Sequence, residues 1–206
     1  HRVDAPKIDY TLEGPRVTIC GQRELYKFFS MIEQGKTQEA SQSARRYSEE
    51  AEWVVTMCCN GEHAAEDDKI KKLPPQIGTL KRLGDLQLYN NELTSIAPEI
   101  GELTELEWLY LDGNLLESIP QQIGLLKKLK WLSVRGGLLK TLPSEIAELV
   151  SLKWLQLEGN QFTGFPPIVR LIPKLRYFSF RENPVSNLEE VEEFRKKLVG
   201  TDKEKI

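Results

Sequence analysis

The side chains most able to act as nucleophile, general base or metal ligand are few here: His1, His63, Cys20, Cys58 and Cys59. A nucleophile and base arrangement would have to recruit one of the two histidines, because activating Ser or Cys needs a titratable partner in hydrogen-bond reach. Cys58 and Cys59 are adjacent, and Cys20 and His63 do not supply the paired spacing of a tetrahedral zinc site. The glycines form no phosphate-cradling loop of either the P-loop or the dinucleotide type. Neither catalysis nor a cofactor nor a metal is therefore expected. Recognition is the chemistry that remains. Trp108, Trp131, Trp154 and Tyr177 stand 23 residues apart, and three of the chain's four tryptophans belong to this series. Large rigid aromatics dominate the energetics of protein interfaces, so this column is the candidate binding element.

The elements that must position those rings follow from the same interval. Leu83, Leu106, Leu129, Leu152 and Leu175 are also 23 apart, and each opens L-x-x-L-x-L-x-x-N-x-L or a close variant. The copies read LGDLQLYNNEL, LEWLYLDGNLL, LKWLSVRGGLL, LKWLQLEGNQF and LRYFSFRENPV, and segments such as LPPQIGTL, IPQQIGLL and LPSEIAEL lie between them. In L-x-L the leucines alternate with exposed residues, which predicts a short strand with Leu86 and Leu88, or Leu109 and Leu111, facing a core. A constant register makes successive strands parallel, and the intervening Pro, Ile and Leu pack a turn or short helix behind them. Asn91, Asn114, Asn160 and Asn183 follow the strands, where a side-chain amide can bond backbone groups of neighbouring turns. The third unit has Gly137 in that slot, which predicts either sequence drift or a local loosening or bulge.

This pattern resembles the leucine-rich-repeat family over roughly Ile70 to Leu198, and its wording is most similar to the 23-residue LPxxIGxL class. The resemblance implies an α/β fold, a right-handed solenoid or horseshoe with a parallel sheet on its concave face, a helical N-terminal cap and a C-terminal capping helix. It also implies protein binding. Aligning the units by column then shows what the concave face would offer. The aromatic column is Asp85, Trp108, Trp131, Trp154 and Tyr177. Next to it run Gln87, Tyr110, Ser133, Gln156 and Ser179, and beyond them Tyr89, Asp112, Arg135, Glu158 and Arg181. Signs alternate from Asp112 onward, which predicts a ladder of cross-strand ion pairs. Trp108, Trp131, Trp154, Tyr177, Tyr110, Tyr89, Arg135, Glu158 and Arg181 are the expected contact residues for a protein or peptide. Cover of the sheet is the alternative role for the rings, and a solvated ladder the alternative for the charges.

A solenoid exposes an apolar cross-section at each end unless something covers it. After Asn183 and Pro184, Leu188, Val191, Phe194 and Leu198 fall at helical spacing, with Ser186 or Asn187 as N-cap. Before the array, Arg16 to Cys20 reads as a short strand, and Gly21 to Gly35 and Lys36 to Asn60 read as helices broken at Gly35. Stepping back one period from Leu83 places His63, Ala65, Asp68 and Ile70 in the slots of a degraded first repeat. The expected division is residues 1–60 as a helical capping region, 61–185 as repeats and 186–206 as a capping helix and tail.

The net charge of −3 favours neither nucleic acid nor an anionic membrane surface. No run approaches the ~18 apolar residues of a membrane helix. An odd cysteine count and no N-glycosylation acceptor suggest a cytoplasmic monomer, with a secreted bacterial protein or effector as the alternative. The functional expectation is a scaffold or interaction module. The alternatives are a substrate-recognition domain of a larger enzyme, such as a bacterial effector ubiquitin ligase, and a surface or adhesion protein. Replacing Trp131 and Trp154 by alanine is expected to abolish partner capture with thermal stability nearly intact.

Overall fold

The computed structural model describes residues 16–18, 26–27, 29–30, 56–58 and 69–199. Seven short strands form one parallel sheet in sequence order: β1 (Arg16–Thr18), β2 (Thr56–Cys58), β3 (Asp85–Gln87), β4 (Trp108–Tyr110), β5 (Trp131–Ser133), β6 (Trp154–Gln156) and β7 (Tyr177–Ser179). From β3 to β7 the register advances by one repeat per strand, pairing Asp85 with Trp108, Trp108 with Trp131, Trp131 with Trp154 and Trp154 with Tyr177. The sequence columns are thus rows across the sheet. The strand at Arg16–Thr18 was expected, as was helix around Phe29, where residues 26–27 and 29–30 are helical and Phe29 is buried.

Two expectations about the N-terminal part need correction. Thr56–Cys58 is a strand, not the end of a helix, and it pairs with Asp85–Gln87, a register step of 29 residues. The strand position beside Leu86 is consequently filled by Met57, where a 23-residue step puts His63. Ile70 keeps its expected place, fully buried and accepting from Glu92 N–H at 3.0 Å, just as Leu93 accepts from Leu115. Six extra residues between β2 and Ile70 account for the difference, and a fixed period could not reveal them. The rest of the expected helix over Lys36 to Asn60, with His63, Ala65 and Asp68, lies outside the described residues.

Behind β3 to β7 run 3₁₀ turns at Pro75–Thr79, Pro98–Glu102, Gln121–Leu125, Ser144–Glu148 and Pro167–Leu171. A proline at or just before each start holds φ near the value such a turn needs, as at Pro74 (φ −72°) and Pro120 (φ −67°). In the first four turns the buried Ile accepts from the next Leu N–H, as from Leu80 to Ile77 and from Leu126 to Ile123, both at 3.1 Å, and in the fifth Val169 accepts from Ile172. A Cβ on Gly124 would sit 2.8 Å from the Glu145 carbonyl oxygen of the next turn, so glycine here sets how closely the outer layer stacks. Leucines and isoleucines from both layers form one continuous core that runs into a phenylalanine cluster at Phe162, Phe165, Phe178 and Phe180.

The asparagines act as read from the sequence. Asn114, 2% exposed, accepts from Leu93 N–H at 3.0 Å and donates to the Leu88 and Leu111 carbonyls at 2.8 and 2.9 Å. Asn91, Asn160 and Asn183 repeat the arrangement with Ile70, Leu139 and Phe162 as amide donors. Gly137 supplies no such rung for Leu116, yet β5 keeps register with both neighbours, so this unit is drift without a bulge. The residue before each of these slots has positive φ: Asn90 (58°), Gly113 (65°), Gly136 (62°), Gly159 (64°) and Glu182 (60°). That left-handed kink turns the chain off the sheet and explains why glycine fills the position three times.

The helix α1 (Glu189–Val199) follows, with Asn187 Oδ1 accepting Glu189 N–H at 3.0 Å. Val191 and Phe194 are buried, and the Phe194 ring lies 5.1 Å from Phe165 and 5.6 Å from Phe178. Leu198 packs at the edge of the core, but Leu188 is 61% exposed because it precedes the first helical turn.

Candidate protein-recognition face

Each residue of the aromatic row is the first of its strand, and the leucine that follows is fully buried in β4, β5 and β6. Alternation therefore turns the rings to the face opposite the core. The sheet brings Trp108, Trp131, Trp154 and Tyr177 together as expected, but not as equals. Trp108, Trp154 and Tyr177 are half-buried, whereas Trp131 is only 5% exposed. Trp131 is covered by its own row and the next. Its ring lies 5.6 Å from that of Trp154, stacked at 28°, and 6.1 Å from that of Tyr110, tilted at 39°. The expectation that Trp131 could be truncated without loss of stability is corrected accordingly. Its indole N–H is buried and has no acceptor among the described residues.

The polar row is knit into its neighbours. Ser133 donates to Asp112 Oδ1 at 2.5 Å and lies 3.1 Å from the Gln156 side-chain amide oxygen, and Ser179 donates to Glu158. Gln87 donates to Asp85 at 2.9 Å, and the half-buried Tyr89 donates to Gln87 at 3.5 Å. Asp112 is the hub of the charged row, because it also takes Arg135 N–H at 2.8 Å and Arg135 Nη2 at 3.1 Å. That hydrogen bond from the guanidinium raises the Arg135 pKa above its ordinary value, against a smaller desolvation effect. The expected ladder forms over its first two steps: Arg135 pairs with Asp112 at 3.1 Å and reaches Glu158 at 3.9 Å. The third step does not form. Arg181 is exposed, and among the described residues it makes no ion pair with Glu158, whose carboxylate is taken by Ser179 and Arg135.

Comparison with known proteins fits this geometry. A model of the leucine-rich-repeat family matches residues 104–162. A leucine-rich-repeat protein of Leptospira interrogans superposes with a TM-score of 0.58 at 33% identity, over 63% of this chain and 38% of its own. The chain carries leucine-rich repeats over residues 104–162. An internalin of Listeria monocytogenes shares the fold with a TM-score of 0.53 at 21% identity, over 66% of this chain and 37% of its own. The chain thus spans well under half the length of either solved protein. No curated protein matches it.

The leucine-rich-repeat fold serves in general as a protein-interaction module. Among the described residues no helix is long and apolar enough to cross a membrane, and no cluster of His, Cys, Asp and Glu is placed to hold a metal. One row of this leucine-rich-repeat face escaped the sequence reading. The residues just before the aromatic row are Glu107, Lys130, Lys153 and Arg176. Lys130 Nζ lies 5.4 Å from the Trp108 ring and 2.6 Å from Glu107, and Lys153 Nζ lies 5.9 Å from the Trp154 ring. Cations at such distances are drawn to the negative face of an indole. The lysines share the 23-residue interval of the tryptophans, so the signal was present one column away.

Proposed function

We propose that this chain binds a protein or peptide across the strand face, with Trp108, Trp154 and Tyr177 as contact rings and Trp131 as the buried element that holds their spacing. One observation carries the reading: four aromatic residues occupy consecutive strands in one row, and three of them keep part of their surface open. Parallel strands lie about 4.8 Å apart, so the row presents a rigid strip roughly 14 Å long whose rings lose little freedom on binding. Tyr110, Tyr89, Arg135, Glu158 and Arg181 border the strip and supply polar contacts. The unused Trp131 N–H supports the same reading, since a buried donor left without an acceptor costs about 1–3 kcal/mol. A small movement of the neighbouring rings would let a partner carbonyl relieve that cost. Membership of a larger enzyme or surface protein is compatible with this role, since the module would then select what the larger protein acts on or adheres to. The test is affinity capture with the wild-type chain and the variants W108A, W154A and Y177A, each checked for an unchanged melting temperature within a few degrees. Capture of the same protein by wild type and by all three variants would overturn the proposal.

A further inference from the structure

The charges around the aromatic strip are sorted along the array, a feature that neither composition nor the alternation within one column reveals. Over β3 and β4 the rows carry Asp85, Glu107 and Asp112 and no cation. Over β5 to β7 they carry Lys130, Arg135, Lys153, Arg176 and Arg181 against Glu158, with Glu182 at the turn beyond. Most of these groups are engaged within the chain. Lys130 is held by Glu107, and Arg135 lies between Asp112 and Glu158. Two cations are different. Lys153 lies over the Trp154 ring and, among the described residues, has no carboxylate partner. Arg181, exposed on the far side of the strip, has none either. The one carboxylate in those rows, Glu158, already accepts from Ser179 and lies against Arg135.

We infer that the β5 to β7 half of the face takes an acidic segment of a partner protein, with an apolar side chain seated on Trp154 and carboxylates on either side of it reaching Lys153 and Arg181. This rests on the reading of the face given above and adds the chemistry of the occupant. The distances agree with an extended chain. Lys153 and Arg181 stand one strand interval of about 4.8 Å apart across the sheet and five residues apart along the strands, a span covered by roughly five extended residues at about 3.3 Å each, which leaves room for one anchor between two charges. A partner carboxylate would meet cations that, among the described residues, no internal carboxylate pairs with, next to indole surface that keeps water away and strengthens the pairing. A basic segment would face the same cations and be repelled.

The test uses the full chain, immobilised, to select from a displayed library of random dodecapeptides. Enriched peptides are then synthesised with a fluorescent label and titrated by polarisation. The expected winners carry Asp or Glu on both sides of an apolar residue. Their dissociation constants rise at least tenfold for K153E/R181E, about threefold for the milder K153Q/R181Q, and beyond measurement for W154A. Winners that are neutral or basic, or that ignore both charge variants while losing W154A, overturn the acidic segment and leave the face itself standing. Winners that bind W154A as tightly as wild type overturn the face reading, and an empty selection overturns both.

Discussion

Replacing Asn114 by alanine removes three hydrogen bonds that tie two successive repeats together. The Leu93 N–H loses its acceptor, and the Leu88 and Leu111 carbonyls lose a donor, all in the buried interior. The Leu88 carbonyl keeps Asn91 as a donor, so two buried groups are left unpaired at about 1–3 kcal/mol each, and the low end of the range gives a loss of about 2 kcal/mol. For a chain of this size, 1 kcal/mol corresponds to roughly 2–4 °C, which places the fall in melting temperature at roughly 4–8 °C. N114D sharpens the test, because it keeps an acceptor for Leu93 but turns an oxygen toward two carbonyls, and it should cost at least as much as alanine. N183A, at a half-buried site near the end of the array, should cost less. Differential scanning calorimetry reads the shifts, and amide exchange at Leu93 reads the local opening. A loss below about 1 kcal/mol for N114A would refute the reasoning, since it would mean that the buried groups find other partners or do without.

Other substitutions separate the roles assigned to individual residues. W131A should lose about 3–5 kcal/mol, the cost of deleting a buried indole, whereas W154A should lose clearly less; equal melting temperatures would show that burial does not distinguish them. G124A forces a methyl against the Glu145 carbonyl at 2.8 Å and should destabilise by about 1–3 kcal/mol in chemical denaturation, with no change meaning that the outer layer can relax. E182G relieves a non-glycine residue at φ 60° and should stabilise by roughly 0.5–1 kcal/mol, a gain that would be absent if the Glu182 side chain contributes more than its backbone costs.

The sequence made legible whatever repeats with a fixed step. The strand register from Asp85 to Tyr177, the core leucines, the asparagine rungs and the helix carrying Val191 and Phe194 all follow from residue type and interval. What it hid depends on geometry between units. Trp131 looks identical to Trp108 and Trp154 in its column, yet it is buried because Tyr110 and Trp154 lean on it from both sides. Glu158 and Arg181 have the right signs and spacing, but Ser179 reaches the carboxylate first. The step from β2 to β3 is longer than those between the later strands, and a period taken from the later repeats cannot predict an insertion in an earlier one.

The junction between β4 and β5 is the one where Gly137 leaves out the asparagine rung. There Asp112 gathers Ser133 and Arg135, while Glu105 and Glu107 clasp Lys128 and Lys130. Neutral side-chain amides reinforce the other junctions between coils; this one has charged groups in their place, beside the backbone ladder and core that all the coils share. Dissolved salt screens exposed ion pairs and leaves buried amides untouched. In concentrated salt, then, the array should slacken from its waist, although a stack of coils ordinarily frays from its tips.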